Sequence, residues 1–401
     1  MLRSNILKIL SLLLLFLSFN SFGEDYQWIT IDRTGLNAFQ EHSLESVEAK
    51  SSAMSDIAIV NLSEDKSFDM HEVMHHDLNR CAGYIRHKTY EEAVQYVKEA
   101  KEFSKLAENG IFADYKIDQQ KIVNKLISRV EENVIRKTIT KLSSYNNRYY
   151  KAETGVESSK WIHGLWKKLV EGRNDAMVKL VNHKNWPQQS IILQIKGSEK
   201  PNEIVVIGGH ADSIAGFFGG AGSRAPGADD NASGIATISE IIRLIAKSGY
   251  KPKRTIMFMG YAAEEVGLLG SKDIAKQFKS TNKDVVGVLQ LDMTNFQGSN
   301  LDIVMMTDYT NKNQNEFVGK LIDEYLPNLS WGYDRCGYGC SDHASWHNAG
   351  YPASMPFESK KGDMNRRIHT KNDTLENMGG TADHASKFAK LGLAFLVEMD
   401  R

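Results

Sequence analysis

An alternation of strand-like and helix-like segments through the middle of the chain limits its fold most strongly. Short apolar runs rich in β-branched residues are typical of strands, and longer segments with helical periodicity separate them. The strand-like runs are 176–182, 190–195, 203–209, 254–261 and 285–292, and the helical segments between them are 232–247 and 267–278. This pattern predicts an α/β fold with a largely parallel central sheet.

Further helical segments flank this region and are expected to cover the sheet. They are 117–145 and 156–169 before it, and 311–326 and 382–399 after it. Together they predict one large domain over residues 111–401.

Residues 24–110 are predicted to form a small α+β unit of their own. A strand is expected at 56–62, and amphipathic helices at 66–80 and 89–106. With fewer than 100 residues and few large apolar side chains, such a unit is marginal alone, so we expect it to pack against a partner surface.

The first 23 residues are predicted to be a secretory signal peptide. Arg3 and Lys8 precede the apolar run 9–19, and small residues flank Phe22 near the expected cleavage site. An eleven-residue run is shorter than the roughly 20 residues of a spanning helix, so we expect export and no membrane anchor.

Charge and cysteine content narrow the partners and the covalent chemistry. A net charge of -1 leaves no excess of positive charge to bind nucleic acid. We also expect a monomer. In an exported chain, Cys336 and Cys340 can close a small ring if the backbone turns at the intervening glycines. Cys81 is then unpaired, which suggests a removable segment or a functional thiol.

Acidic and imidazole side chains follow the predicted strands, where ligands bind in open α/β sheets. A loop before the 232–247 helix and a later segment add further groups of the same kind. The residues are His210 and Asp212, Asp229 and Asp230, Glu264 and Glu265, Asp292, and His369. Imidazoles together with carboxylates indicate a divalent metal site and favour zinc.

The number of these groups exceeds what one ion can use. A catalytic zinc takes three protein ligands, whereas two histidines and at least three carboxylates suit two ions that share a carboxylate. Two such ions can polarise a carbonyl and activate a water.

Six motifs together closely resemble the secreted bacterial leucyl aminopeptidases, which are two-zinc exopeptidases. They are GGHADS, APGADDNASG, AAEEVGLLGS, LDM, CGYGCSDHASW and RIHTKNDT, within a region that runs from about residue 117 to the C-terminus. The resemblance implies a three-layer α/β/α sandwich around a mixed, largely parallel sheet. It also implies a precursor whose N-terminal propeptide, here 24–110, assists folding or covers the cleft.

The resemblance implies a role for each site residue. His210 and Asp292 would bind one zinc, Glu265 and His369 the other, and Asp229 would bridge both. Asp230 would follow the bridging residue at an unusual cis peptide.

Three further residues acquire catalytic roles in the same way. Glu264 would be the general base and would need a raised pKa. Asp212 would orient the His210 imidazole, and Tyr338, inside the cysteine ring, would steady the oxyanion.

A hydrophobic pocket for the N-terminal side chain is implied at Met293, Met355, Phe357 and Ile368. Two aromatic residues expected near the end of that loop are replaced by Lys361 and Met364. Bulky apolar residues such as leucine are the expected substrates, with a rim that is more open or accepts other side chains.

Residues 71–75, HEVMH, match the H-E-x-x-H zinc motif and offer an alternative site. The small N-terminal unit supplies only His76 or His87 as a third ligand, so a chance match within a propeptide is the better interpretation. As a hypothesis, Cys81 or a nearby histidine holds the precursor inactive, and a Cys81→Ser precursor with unchanged latency would remove the thiol version.

The sequence therefore predicts a secreted two-zinc aminopeptidase acting on peptides with a free N-terminus. The alternatives on the same scaffold are a one-zinc glutaminyl cyclase or a carboxypeptidase. A catalytically inactive binding domain would require lost ligands, and all five predicted ligands are present.

Overall fold

The computed structural model describes most of the chain after the predicted leader. It covers 26–42, 49–51, 57–63, 83–108, 115–215 and 220–401, with isolated positions Lys66, Met70, Val73, Met74, Asp77, Leu78, Arg80 and Phe112. The predicted signal peptide and Cys81 lie outside these residues.

A small antiparallel sheet forms the N-terminal unit. Its strands are β1 (Tyr26–Asp32), β2 (Ala49–Ser51), β3 (Ile57–Ser63) and β4 (Tyr84–His87), in the order β2-β3-β1-β4. The helices Arg33–His42 and Tyr90–Glu108 accompany it. This is the predicted small α+β unit, in which the strand expected at 56–62 and the helix expected at 89–106 are present.

An eight-stranded mixed sheet forms the centre of the larger region. Its strands are β5 (Ala176–Val181), β6 (Ser190–Ile195), β7 (Lys200–His210), β8 (Arg254–Tyr261), β9 (Asp284–Gln290), β10 (Ile303–Met306), β11 (Trp331–Asp334) and β12 (Ala353–Phe357). The order is β11-β10-β12-β9-β7-β8-β6-β5. The inner strand β7 pairs in parallel with both β8 and β9, which confirms the predicted mixed, largely parallel sheet.

Helices cover both faces of this sheet because successive residues of its inner strands point to opposite sides. On β7, Val205 and Ile207 join one apolar cluster, while Ile204 and Val206 join another. The first face packs against Gln120–Ile127, Glu132–Ser143, Glu153–Leu169, Gly234–Lys247, Lys312–Tyr325 and Asp383–Met399. The second packs against Leu269–Ser280 and His343–Asn348.

Some elements differ from the sequence prediction. The helical stretch expected over 117–145 is two helices, because the Glu131 N–H bonds to the buried Glu240 carboxylate and the Arg129 carbonyl accepts from Arg243. Strands β10, β11 and β12 were not predicted. None of the helices among the described residues combines the length and apolar character needed to cross a membrane.

The N-terminal unit packs directly against the larger region. Ile85, Tyr96 and Val97 share an apolar cluster with Leu268 and Ala344. This contact supplies the partner surface that a unit of this size was expected to need.

A hydrogen-bonded histidine lies in the same contact. The Lys272 ammonium lies 2.9 Å from His87 Nδ1, and His87 Nε2 lies 2.9 Å from Thr30 Oγ1. Burial lowers the pKa of His87 well below its ordinary value, and the neighbouring Lys272 and Lys276 lower it further. His87 is therefore neutral in the folded protein and accepts from Lys272.

We expect acid to destabilise the folded chain through His87. Below about pH 6.5 the unfolded state gains a proton that the buried imidazole does not, so the free energy of unfolding falls by up to about 1.4 kcal/mol per pH unit. Urea unfolding between pH 5 and 7.5 should show a shallower pH dependence for His87→Gln than for the native chain. Equal slopes would contradict this role.

Candidate metal centre

The carboxyl ends of three neighbouring parallel strands bring the candidate site together. His210 is the last residue of β7, Asp292 follows β9, and Glu264 and Glu265 lie in the loop after β8. All four side chains are buried. The parallel register places these strand ends at one edge, as the sequence predicted.

Two imidazoles at this edge each contact a pair of carboxylates. His210 Nε2 lies 3.0 Å from Asp230 Oδ1 and 3.3 Å from Asp292 Oδ1. His369 Nε2 lies 3.1 Å from Asp230 Oδ2 and 2.8 Å from Glu265 Oε2. The Asp230 carboxylate therefore lies between the two groups, with one oxygen directed to each.

These residues fit divalent zinc. His210, Asp230 and Glu265 offer ligand atoms within 4.8 Å of one another. Within the described part of the chain, Glu265 Oε1 and Asp292 Oδ1 are buried and have no hydrogen-bond donor. Buried carboxylate oxygens need positive charge, and a mixed imidazole and carboxylate set favours zinc.

Asp229 is the one predicted ligand that the structure does not bring into this cluster. Its Oδ1 accepts from the Asn295 N–H at 3.1 Å and its Oδ2 from the Asn365 amide at 3.1 Å. The prediction that Asp229 is the shared carboxylate is therefore corrected to Asp230.

The physical reason is the local backbone of the turn Ala228–Ser233. The Asp373 carboxylate accepts the N–H groups of both Asp229 and Asp230, which fixes the start of the turn. The Asp229 and Asp230 side chains then leave this turn in different directions. The cis peptide lies between Asp230 and Asn231, one position later than expected.

Asp212 links the ends of β7 and β8. One of its oxygens lies 3.3 Å from His210 Nδ1, and the two oxygens accept the Glu264 N–H at 3.0 Å and the Glu265 N–H at 3.2 Å. A single buried carboxylate thus lies against an imidazole and accepts hydrogen bonds from the backbone that carries two acids.

The electrostatics of the cluster favour positive charge between the acids. Burial raises the pKa of Glu264 well above its ordinary value and raises that of Glu265 to about 7. Burial opposes a charge on His369, but the Glu265 and Asp230 carboxylates outweigh it and raise its pKa to about 10. A cation at this position relieves the repulsion among the acids.

A buried apolar cluster adjoins these residues in sequence. The predicted residues Met293, Met355, Phe357 and Ile368 form one buried cluster that also includes Tyr338 and Met364. Met293 and Ile368 each adjoin a residue of the imidazole and carboxylate cluster in sequence.

A disulfide and a cation belong to or adjoin this apolar cluster. Cys336 and Cys340 form the expected disulfide around Tyr338. The Lys361 ammonium lies 2.9 Å from Met364 Sδ and 5.9 Å from the centre of the Tyr338 ring. A charged side chain thus occupies one of the two positions where an aromatic residue was expected.

Sequence reasoning missed several supporting residues. Ser341 donates to Asp292 Oδ2 at 2.5 Å, and the buried Glu358 accepts the Phe296 and Asn365 N–H groups. Ser341 and Asp373 stood in recognised motifs, whereas nothing in the local pattern marked Glu358.

The alternative HEVMH site falls mostly outside the described residues. Of its five positions only Val73 and Met74 are described, and both pack in the core of the N-terminal unit.

Comparisons with known proteins identify a family and similar folds. Residues 190–394 match the family model of Peptidase family M28. A probable aminopeptidase of Saccharomyces cerevisiae is 34% identical over 291 residues, covering 71% of this chain and 77% of the relative. Leucine aminopeptidase 1 of Pyrenophora tritici-repentis is 37% identical over 286 residues, covering 68% and 72%. The solved LapA aminopeptidase of Legionella pneumophila superposes with a TM-score of 0.77 at 27% identity, covering 94% of this chain and 98% of that chain.

Substituting the two adjacent aspartates tests which one is shared. We expect Asp230→Asn to weaken zinc binding by more than about 100-fold, because it removes a charge that faces both imidazoles, and Asp229→Asn to weaken it less. Competition with a chromophoric chelator measures both affinities. A larger loss for Asp229→Asn would contradict the geometry.

Proposed function

This chain belongs to peptidase family M28 and is a metallo-aminopeptidase, and from that premise we propose that it uses two zinc ions to remove N-terminal residues from peptides and proteins. Bulky hydrophobic residues such as leucine are its preferred substrates. The observation that carries the proposal is the Asp230 carboxylate between two imidazoles, each with a further carboxylate beside it.

Five residues would hold the metals. His210 and Asp292 would bind one ion, Glu265 and His369 the other, and Asp230 would contact both. When bound, zinc supplies Lewis-acid polarisation of the scissile carbonyl and makes a water more acidic.

Glu264 moves the proton in this proposal. Its Oε1 is buried without a hydrogen-bond partner among the described residues, so it is available to a ligand in the cleft. Because burial raises its pKa, the carboxylate takes a proton from water readily and then delivers it to the departing amine. Asp212 keeps the Glu264 backbone and the His210 ring in fixed relative positions.

In this proposal, substrate recognition uses a pocket at the buried apolar cluster, together with Tyr338. The pocket receives the side chain of the N-terminal residue, and burial of apolar surface favours large aliphatic groups there. Tyr338 donates its phenol proton to the developing oxyanion. The free α-amine is a cation and is attracted by the carboxylates beside the pocket.

The N-terminal unit acts as an intramolecular inhibitor or folding aid of an exported precursor. The Arg80 guanidinium lies 4.9 Å from the centre of the Tyr338 ring and forms an ion pair with Asp32. Arg80 thus contacts the residue proposed to steady the oxyanion. Export itself rests on the signal-like residues 1–23, and the mature enzyme is expected to be a monomer.

Two other activities on this scaffold remain as alternatives. A glutaminyl cyclase needs one metal, and a carboxypeptidase needs a group that binds the substrate's terminal carboxylate. The geometry around Asp230 favours two ions, whereas an endopeptidase using residues 71–75 has no support among the described residues.

Activity on a chromogenic substrate tests the proposal. The mature protein should release p-nitroaniline from leucine p-nitroanilide but not from its N-acetylated equivalent, and a chelator should abolish release. Glu264→Gln should lower kcat by about 10²- to 10⁴-fold with zinc content unchanged at two per chain. Cleavage of the blocked substrate, or one zinc per chain, would contradict it.

Substituting Arg80 in the full-length precursor tests the inhibitory contact. Loss of a cation–π contact worth about 0.5 to 2 kcal/mol should raise precursor activity by about 2- to 30-fold in Arg80→Ala. Lys88→Ala removes an exposed pair with Asp273 in the same interface and is the matched control. Equal activity of native and Arg80→Ala precursors would contradict an inhibitory role for this contact.

A further inference from the structure

Arg148 is a buried arginine whose guanidinium donates to main-chain carbonyl groups. Its Nε donates to the Ala211 carbonyl at 2.9 Å, and its Nη2 donates to the Gly227 carbonyl at 2.9 Å. Its Nη1 donates to the Pro226 carbonyl at 2.6 Å and to the Leu142 carbonyl at 3.3 Å. One side chain thus joins three separate segments of the chain.

Two of these segments carry the metal centre. Ala211 lies between His210 and Asp212, and Pro226 and Gly227 lead into the turn that presents Asp230. No β-ladder joins the two segments at this point among the described strands. The Arg148 fork links them, because it donates to a carbonyl on each segment.

The backbone around Gly227 is shaped to receive the guanidinium. Gly227 has a φ of +54°, and a Cβ there would lie 2.8 Å from Arg148 Nη2 and 2.4 Å from the Asp230 carbonyl oxygen. Any larger residue would push the guanidinium and the turn apart. The sequence thus supplies both the arginine and the glycine that this close approach requires.

The Arg148 main chain makes a second link to the same segments. Its N–H donates to Ser213 Oγ at 3.0 Å, and that hydroxyl donates to the Ala225 carbonyl at 2.9 Å. Both the backbone and the side chain of Arg148 therefore tie the segment after β7 to the segment before Asp230.

The charge of Arg148 suits its surroundings. Burial lowers its pKa to about 10, while the carboxylates of Asp373, Asp212 and Asp230 act to raise it. Arg148 therefore stays a cation at neutral pH and partly balances the acids of the centre. Lysine would keep the charge but not the planar fork that reaches several carbonyls at once.

We propose that Arg148 is a positioning residue for the metal centre, which sets the distance between His210 and Asp230. The inference rests on the proposed zinc site. Removing the fork loosens one side of that site and weakens zinc binding by about 10- to 100-fold, as for other groups that hold ligands in place.

Arg173 provides a matched control. It is a partly buried arginine whose guanidinium also donates to main-chain carbonyls, those of Ile245 and Tyr250, and it pairs with Asp175. None of these partners belongs to the segments that carry the metal centre.

The experiment compares Arg148→Lys, Arg148→Ala, Arg173→Lys and Arg173→Ala in the full-length chain. Zinc affinity is measured by competition with a chromophoric chelator, and thermal unfolding of the metal-free protein is measured separately. We expect weaker zinc binding in both Arg148 variants and native affinity in both Arg173 variants. A non-denaturing concentration of guanidinium chloride should restore affinity in Arg148→Ala, and sodium chloride at equal ionic strength should not.

The remaining outcomes overturn the proposal. Native zinc affinity in Arg148→Lys and Arg148→Ala would show that the fork does not position the centre. Equal affinity losses in the Arg148 and Arg173 variants, or failure of both Arg148 variants to fold, would show a general structural role. Because the readout is zinc binding, a chain that binds two zinc ions but lacks peptidase activity would refute the proposed function and leave this inference intact.

Discussion

A buried carboxylate keeps its charge only when positive groups lie next to its oxygens, and Asp230 satisfies this requirement on both sides. Burial alone would raise its pKa, but hydrogen bonds from His210 and His369 lower it instead. The rest of the centre follows from this arrangement. His210 ends β7 and Asp292 follows β9, while the loop after β8 supplies Glu265.

Around this inner group lies a set of residues that act on the backbone. Asp373 accepts the N–H groups of Asp229 and Asp230. Asp212 accepts those of Glu264 and Glu265. Arg148 donates to the carbonyls of Ala211 and Gly227. The two aspartates thus satisfy main-chain N–H groups, and the arginine satisfies main-chain carbonyl groups. Because these residues form the hydrogen bonds of the backbone, the imidazole and carboxylate side chains of the centre remain available for ligands.

Sequence periodicity was enough to predict the central strands and the edge at which the acids meet, because parallel strands end together. It did not predict β10 and β11, which have only four residues each and so show little pattern. The resemblance supplied the zinc pattern, but it could not separate Asp229 from Asp230. Two adjacent identical residues differ only in the direction their side chains take, and distant Asp373, Asn295 and Asn365 decide that direction.

The loop that follows Glu265 also receives the N-terminal unit. Gly267 lies so close to Arg86 that a Cβ would come within 2.9 Å of the Arg86 nitrogen, and Leu268 packs in the shared apolar cluster. This short stretch therefore serves two purposes, since it carries an acid of the candidate metal centre and also contacts the N-terminal unit. The two surfaces are bound to evolve together, and transplanting an N-terminal unit from a distant relative would require altering this loop as well.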